Sequence, residues 1–551
     1  MDIAGLVLSA TSLALQLREL SKDVTNSLKR AGPADDDFLE LSIEALHESE
    51  QSKLLAFVLF DNGIYGFENG IFASLDDDNQ KILFAILQRL FRIWREIKDL
   101  AAARFSPTSA SVLSHESIQQ LERADQLDQQ ALGGTFDYEH VRNLVTAATA
   151  WNQKLERRIT CYNILHTIND QTPARNIERL NAIAQNDQCK ALGWDTLARL
   201  RQLVLGIENP DVDFQLLPIP PDILINQGSV SSLKPIRQDL LQGLHGREGV
   251  LIETLPYFHL SRSPEVQGNS LADRRVEELV GFLSITKDSK FRIPKARGYY
   301  HDPRHGRYCI IFDVRTLYPK PGAEITTLHS VLQASGRAQA GDSTFRRPSL
   351  DARFSLAYAL AMAMSKFQSV GWLHQNIRSD NVVFAAPEPL HRFIDFSKPW
   401  LMGYGSSRSV SSSSVKIFDQ NPIHNLYRHP DRWGSTPKGR FDKIHDMYSL
   451  GVVLLEISVW SPVEHLVKRE LMAKGVSGNL VQDELLKLSQ HSKVSELMGT
   501  QFSKIVRKCL EGKTSAFGIQ ETSSDGAAAQ LELAFHDQVV DSLKKAVHSL
   551  A

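Results

Sequence analysis

The segment Leu373-His374-Gln375-Asn376-Ile377-Arg378-Ser379-Asp380-Asn381-Val382-Val383-Phe384 decides how this chain is read. A polar stretch opened by a His-x-Asn triplet carries a second asparagine, Asn381, and runs directly into apolar residues. Alone, such a triplet caps or braces a loop, because short polar side chains bond readily to nearby backbone. Three further pieces follow it in order. Phe393-Ile394-Asp395-Phe396-Ser397 places an aspartate nineteen residues beyond Asn376. Tyr427-Arg428-His429-Pro430-Asp431 comes next, and then Asp446-Met447-Tyr448-Ser449-Leu450-Gly451-Val452. Each piece is weak by itself; four in this order, with loop-sized gaps, are specific.

Together they resemble the frame of a protein kinase. Residues 374–381 match the H-R-D-L-x-x-x-N catalytic loop and Asp395 falls at the metal-binding D-F-G. Residues 427–431 resemble the A-P-E region, and 446–452 the buried helix that anchors the larger lobe. The resemblance runs from about Lys234 to Leu550 and implies a two-lobed α+β fold, a small mixed lobe before a larger helical one. The residues agree with that outline. Gly249–Leu255 and Tyr308–Val314 read as short buried strands. Between them Asp273–Ser284 is helical, with Val276, Leu279, Val280 and Leu283 on one face, and after Leu350 the chain is mainly helical.

The departures carry the functional reading. Phosphoryl transfer uses a carboxylate at the third loop position to take or orient the acceptor hydroxyl's proton. Asn376 stands there, behind His374, and cannot take a proton. The lysine of V-A-I-K is matched by Glu253 in Val250-Leu251-Ile252-Glu253, which repels a nucleotide phosphate. Gly243, Gly246 and Gly249 have the wrong spacing for the glycine-rich loop. Glu277 or Glu278 offers the ion-pair glutamate, with no lysine to meet it. What survives is the metal side: Asn381 and Asp395 as candidate Mg²⁺ ligands, helped by Asp380, with loop bracing as the competing role. ATP with Mg²⁺ is thus the cofactor the resemblance implies, and the losses point to a pseudokinase; an active Ser/Thr kinase with an unusual site is the alternative.

Residues 1–208 read differently. Asp35–Phe60, Asn79–Leu100, Tyr138–Ile168 and Arg175–Leu205 show three- and four-residue apolar spacing, which makes an α-helical bundle. Residues 209–233, with Asn209-Pro210 and Pro220-Pro221, form a linker, so the kinase-like region spans 234–551. Ile3–Leu17 is apolar, yet too short to span a bilayer and preceded by Asp2 rather than by positive charge. This opening, a second helix over Leu39–Asn62 and the helical layout resemble the fungal HeLo domain, whose members act in regulated cell death and incompatibility. The resemblance implies that Ile3–Leu17 is a membrane-active segment. The partners it implies are membrane lipid and a protein partner or further copies of the chain through the bundle, in the cytoplasm with recruitment to a membrane. A soluble scaffold that binds proteins through the bundle is the remaining alternative.

Composition narrows the classes further. Lys+Arg 62 against Asp+Glu 64 offers no basic excess for nucleic acid. Cys161, Cys189, Cys309 and Cys509 are scattered, without zinc spacing, which fits a reducing compartment. The serine-rich patch Gly405–Val415 reads as a mobile loop able to accept phosphates, Thr514–Ala528 as a linker, and Leu531–Leu550 as one amphipathic helix. In that helix Phe535, Val539, Leu543, Val547 and Leu550 are expected to face inward.

Overall fold

The computed structural model describes residues 3–31, 36–61, 70–105, 138–165, 172–209, 230–237, 239–245, 248–256, 270–320, 322–337, 347–387, 393–410, 421–433, 439–473, 476–520 and 525–550. The chain forms two compact units, Met1–Ala198 and Arg199–Ala551.

The first unit is helical. Helix α1 (Ile3–Ala31) buries Leu6, Ala10, Ala14, Leu17, Leu20 and Val24, a stripe with three- and four-residue steps. It packs on α2 (Asp36–Phe60) and α3 (Asp77–Phe105), and α3 packs on α4 (Tyr138–Thr160). A buried polar chain ties three of these helices. Trp94 Nε1 donates to Ser52 Oγ (2.8 Å), Ser52 donates to Asn152 Oδ1 (2.6 Å), and Asn152 Nδ2 donates to the Glu48 carbonyl (2.8 Å). Such a network fixes helix register, because shifting any member strands a buried polar group. The expected fourth helix is broken into α5 (Pro173–Gln185), a short turn of helix at Asp187–Ala191, and α6 (Trp194–Glu208). Asn186 makes the break by capping the short helix, its Oδ1 accepting from the amides of Gln188 and Cys189. The expected membrane-active run Ile3–Leu17 is the first half of α1; the helix passes through Gln16 and Arg18 without interruption. Among the described residues, no helix is long and apolar enough to cross a membrane. Residues 210–229 of the expected linker lie outside the described residues.

The second unit opens with a five-stranded antiparallel sheet, ordered β1-β2-β3-β5-β4. Its strands are β1 (Val230–Arg237), β2 (Leu240–His245), β3 (Glu248–Pro256), β4 (Ala296–Asp302) and β5 (Arg307–Asp313). The two central strands are the ones legible as unbroken apolar runs, with Val250, Leu251, Ile252, Ile310, Ile311 and Phe312 all buried. Edge strand β1 tolerates Pro235, which cannot donate to a ladder, and its register slips beside that residue. Helix α7 (Ser270–Ser284) lies between β3 and β4 in sequence and packs on β4. Two smaller antiparallel ladders follow: β6 (Glu324–Thr327) with β8 (Val382–Ala386) and β9 (Trp400–Leu401), and β7 (Trp372–Leu373) with β10 (Arg408–Ser409).

The remainder is helical: α8 (Leu328–Arg337), α9 (Leu350–Ser369), α10 (Lys443–Val459), α11 (Gly478–Ser489), α12 (Ser492–Glu511), α13 (Asp525–Phe535) and α14 (Asp541–Leu550). Helix α10 is buried from Lys443 to Ser458, and its charged members Lys443, Asp446 and Glu456 are each bonded within that interior. Asp442 caps its start, and Gly451 lets α12 close in, since a Cβ there would stand 2.8 Å from Cys509 Cβ.

Three expectations are corrected. The described part of the serine patch is held rather than loose: Ser407 Oγ accepts from Trp372 Nε1 (2.7 Å) and donates to the Leu373 carbonyl (2.9 Å), and Ser409 is buried in β10. Residues 411–415 of the patch lie outside the described residues. The expected linker after Thr514 begins with a 3₁₀ turn, Thr514–Phe517, anchored by buried Phe517. The last helix is interrupted by a π-helical turn, His536–Val540; Phe535, Val539 and Leu543 face inward, while Val547 is half-buried and Leu550 is exposed. All four cysteines are buried and free.

Candidate functional site

The loop His374–Asn381 joins β7 to β8 and is held from below by α10. Asp446, in the first turn of α10, accepts from the His374 amide (2.9 Å) and the Gln375 amide (2.8 Å). Those two bonds hold Gln375 at φ +62°, a left-handed conformation that costs a non-glycine residue energy and persists only where its surroundings impose it. Burial pushes the Asp446 carboxyl up to about 7, although both amide bonds favour its charged form. The His374 ring is buried between Phe367 and Tyr404 and its Nδ1 accepts from the Asn376 amide (3.3 Å). Burial, then Arg378 and Arg237, drive its pKa down to about 3, so the ring is neutral.

Strand β9 pairs with β8 and delivers Met402, Gly403 and Tyr404 to the same loop. The Met402 amide donates to the Asn381 carbonyl (2.8 Å), Asn376 Nδ2 donates to the Gly403 carbonyl (3.1 Å), and Asn381 Nδ2 donates to the Asn376 carbonyl (2.6 Å). Gly403 sits at φ +93°, and a Cβ there would lie 2.3 Å from Asn381 Nδ2; only glycine fits. Two side chains from the five-stranded sheet complete the cluster. Glu253 of β3 accepts from the amides of Gly403 (2.9 Å) and Tyr404 (2.5 Å), and Arg237 of β1 donates to Asn381 Oδ1. Arg237 Nε also pairs with Asp239 (3.2 Å). Burial raises the Glu253 carboxyl to about 7 in spite of Arg237 and the two amides.

The structure therefore brings together His374, Asn376, Asn381 and Glu253, and leaves two expected site residues elsewhere. Asp395 is exposed; its carboxylate accepts from the Ser397 amide (3.0 Å) and hydroxyl (2.5 Å) and pairs with Lys398 (2.8 Å). Partial burial pushes that carboxyl up, but Lys398 and Ser397 outweigh it and hold it below the usual range. The expectation that Asp395 joins Asn381 at one metal ion is corrected: the backbone that meets Asn381 belongs to Met402 and Gly403. Glu277 is exposed and accepts from the Tyr299 hydroxyl (3.4 Å), while Glu278 pairs with Arg274 (3.0 Å). Asp380 pairs with Arg378 (2.9 Å), and that arginine together with Arg237, His424 and His329 overcomes burial to keep it charged.

Sequence reasoning missed Arg237 and Gly403. Arg237 lies in a proline-broken edge strand, 144 residues from Asn381, where no local pattern marks it. Gly403 had one visible sign, the alternating glycines of Gly403-Tyr404-Gly405 after the apolar run Trp400-Leu401-Met402.

The residues present do not fit a magnesium–nucleotide. Asn381 Oδ1, the atom a divalent ion would need, is taken by a guanidinium, and the buried group on β3 is a carboxylate. One consequence is measurable. The folded pKa of Glu253 lies above the ordinary 4.5, so the stability it lends is complete below that pH and is lost as pH rises through about 7. The thermal midpoint of the C-terminal unit is expected to fall from about pH 5 to about pH 8, and to fall less in Glu253→Gln. Equal slopes for the two proteins in scanning calorimetry would remove Glu253 as the source.

No protein-family model matches the chain, and no curated protein matches it.

Proposed function

We propose that this chain is a pseudokinase-regulated helical-bundle protein of the fungal regulated-cell-death type. On this reading the second unit has a kinase-like two-lobed fold, its antiparallel sheet with α7 inserted forming the smaller lobe. Asp446 of the buried helix α10 braces the catalytic-type loop. Gly403, rather than Asp395, takes the D-F-G aspartate position, because it follows β9 directly and its backbone meets Asn376 and Asn381. The observation that carries the reading is the pair Glu253 and Arg237. One carboxylate is tied to the Gly403 and Tyr404 amides, and one guanidinium covers Asn381, so the chain's own side chains fill the place of phosphate and metal. Catalysis is lost and a braced body remains, able to respond to a partner or to modification of residues 411–414.

The bundle supplies the output. Leu8 is 70% and Leu15 54% exposed on one face of α1, seven residues apart, opposite the buried stripe. A soluble bundle leaves such residues in water only at some cost, and lipid or a protein surface would cover them. A single short helix binds a bilayer modestly, so several copies acting together are required. The scaffold reading draws on the same two leucines. Dye release from anionic vesicles by the full-length protein separates the two: release that is lost in Leu8→Lys/Leu15→Lys supports membrane action. Equal release by that variant, or none at any protein density, would contradict it.

A further inference from the structure

Ser379 of the His374–Asn381 loop touches a second cluster of ionisable groups. Glu456, near the end of α10, is fully buried. Its Oε1 accepts from the Tyr427 hydroxyl (2.7 Å), the Val463 amide (2.9 Å) and the Ser379 hydroxyl (3.1 Å). Its Oε2 is buried and has no hydrogen-bond partner among the described residues. Glu464 sits in the short helix Val463–Leu466 that follows α10, its side chain 9% exposed, and its Oε2 is likewise buried without a partner among the described residues. The only ion pair either glutamate makes among the described residues is that of Glu464 Oε1 with His329 Nε2 (3.3 Å), from the first turn of α8. Ligand atoms from His329, Glu456 and Glu464 all lie within 4.8 Å of one another.

We propose that His329, Glu456 and Glu464 form a binding site for one divalent metal ion of the zinc type. Two buried carboxyls with unmet oxygens are costly as a charged pair unless a proton or a cation lies between them, and the neighbouring imidazole favours the cation. Imidazole beside two carboxylates suits zinc, which is commonly held by nitrogen and oxygen ligands, better than magnesium or calcium, which take oxygen alone. Ligands about 2.1 Å from a tetrahedral ion stand about 3.4 Å apart, so atoms now within 4.8 Å of one another need close by at most about 1.4 Å. Gln333 Nε2 lies 2.8 Å from His329 Nε2, and turning that amide over brings its carbonyl oxygen toward the same point as a fourth donor. Ser379 links the site to the loop, since its hydroxyl touches both Glu456 and His329 Nδ1 (3.5 Å). The ion would thus tie α8, α10 and the loop together. The other buried histidine cluster, His429, Asp431 and His445, is a poorer candidate. His429 uses both ring nitrogens on backbone, with the Asp431 amide (3.2 Å) and the Gly512 carbonyl (3.0 Å), and His445 Nδ1 is engaged by the Asp442 amide (2.8 Å).

The test uses the full-length protein, stripped with a chelator and titrated with Zn²⁺ by calorimetry and with Co²⁺ by visible absorption. One Zn²⁺ per chain, a Co²⁺ ligand-field spectrum, a rise in thermal midpoint with the metal, and loss of all three in His329→Ala and in Glu464→Gln are expected. Excess Mg²⁺ leaves the titration unchanged. No uptake by the stripped wild-type protein overturns the site without reference to any variant. So does undiminished uptake by both variants. A metal-free Glu464→Gln protein more stable than wild type, in a chain that takes up no ion, identifies a proton bridging the two carboxyls and overturns the proposal as well.

Discussion

Alanine at Gly403 is expected to cost the C-terminal unit about 3–5 kcal/mol, summing a left-handed conformation and an overpacked contact. Gly403 combines φ +93° with a Cβ position 2.3 Å from Asn381 Nδ2 and 2.4 Å from Asn381 Cγ. Neither atom can retreat freely. Asn381 is buried, its Nδ2 donates to the Asn376 carbonyl and its Oδ1 accepts from Arg237. The methyl group therefore either expels Asn381, unmaking both bonds, or shifts the Gly403 backbone off the Glu253 carboxylate. Urea denaturation of Gly403→Ala reads the loss directly. A change below about 1 kcal/mol would mean that the cluster opens easily, and would contradict a tight fit of Asn381 against Gly403.

The second large effect is at Lys443 and Glu532, which join the start of α10 to α13. Their side chains are 7% and 8% exposed and form a direct ion pair. Lys443→Met takes from the buried Glu532 carboxylate its direct ion-pair partner, leaving the charge of Arg201 in its field, and is expected to cost up to about 3–5 kcal/mol. Lys443→Met with Glu532→Leu removes both charges, and most of the stability is expected to return, because apolar side chains of similar volume need no desolvation of charge. A double-mutant cycle in urea measures the coupling. Additive losses would show that the pair is hydrated and would contradict its burial. The Gln368 amide, which donates to the Lys443 carbonyl (3.0 Å), is untouched by either change.

How much of this was legible follows physical lines. Strands β3 and β5 announced themselves because central strands are apolar on both faces, and residues 446–452 of α10 through their resemblance to a buried anchoring helix. The loop at 374–381 was legible through its resemblance to the catalytic-loop frame, His374-x-Asn376 with Asn381 five residues on. Strands β1 and β2 were missed, since an edge strand carries Pro235 and its neighbour Gly243, which remove the pattern that marks a strand. The choice of Asp395 followed from the Asp-Phe pair and its spacing. What overrides it is β9, two residues long and too short to leave a periodic trace, which carries Gly403 to Asn381 instead. Arg237 left no trace because pairing at a separation of 144 residues is a property of topology. On α1 the apolar character of Ile3–Leu17 was readable, but neither its buried stripe nor the outward placement of Leu8 and Leu15 was, as apolar residues occur on several faces of its first half.

The most direct test titrates the full-length protein with a fluorescent ATP analogue in the presence of Mg²⁺. With Arg237 on Asn381 and Glu253 on the Gly403 and Tyr404 amides, no saturable binding up to on the order of 1 mM is expected, and no nucleotide-dependent rise in thermal midpoint. Saturable micromolar binding that requires Mg²⁺ and disappears when Asn381 is replaced would show that this cluster opens to a triphosphate, and would contradict a site filled by the chain's own side chains.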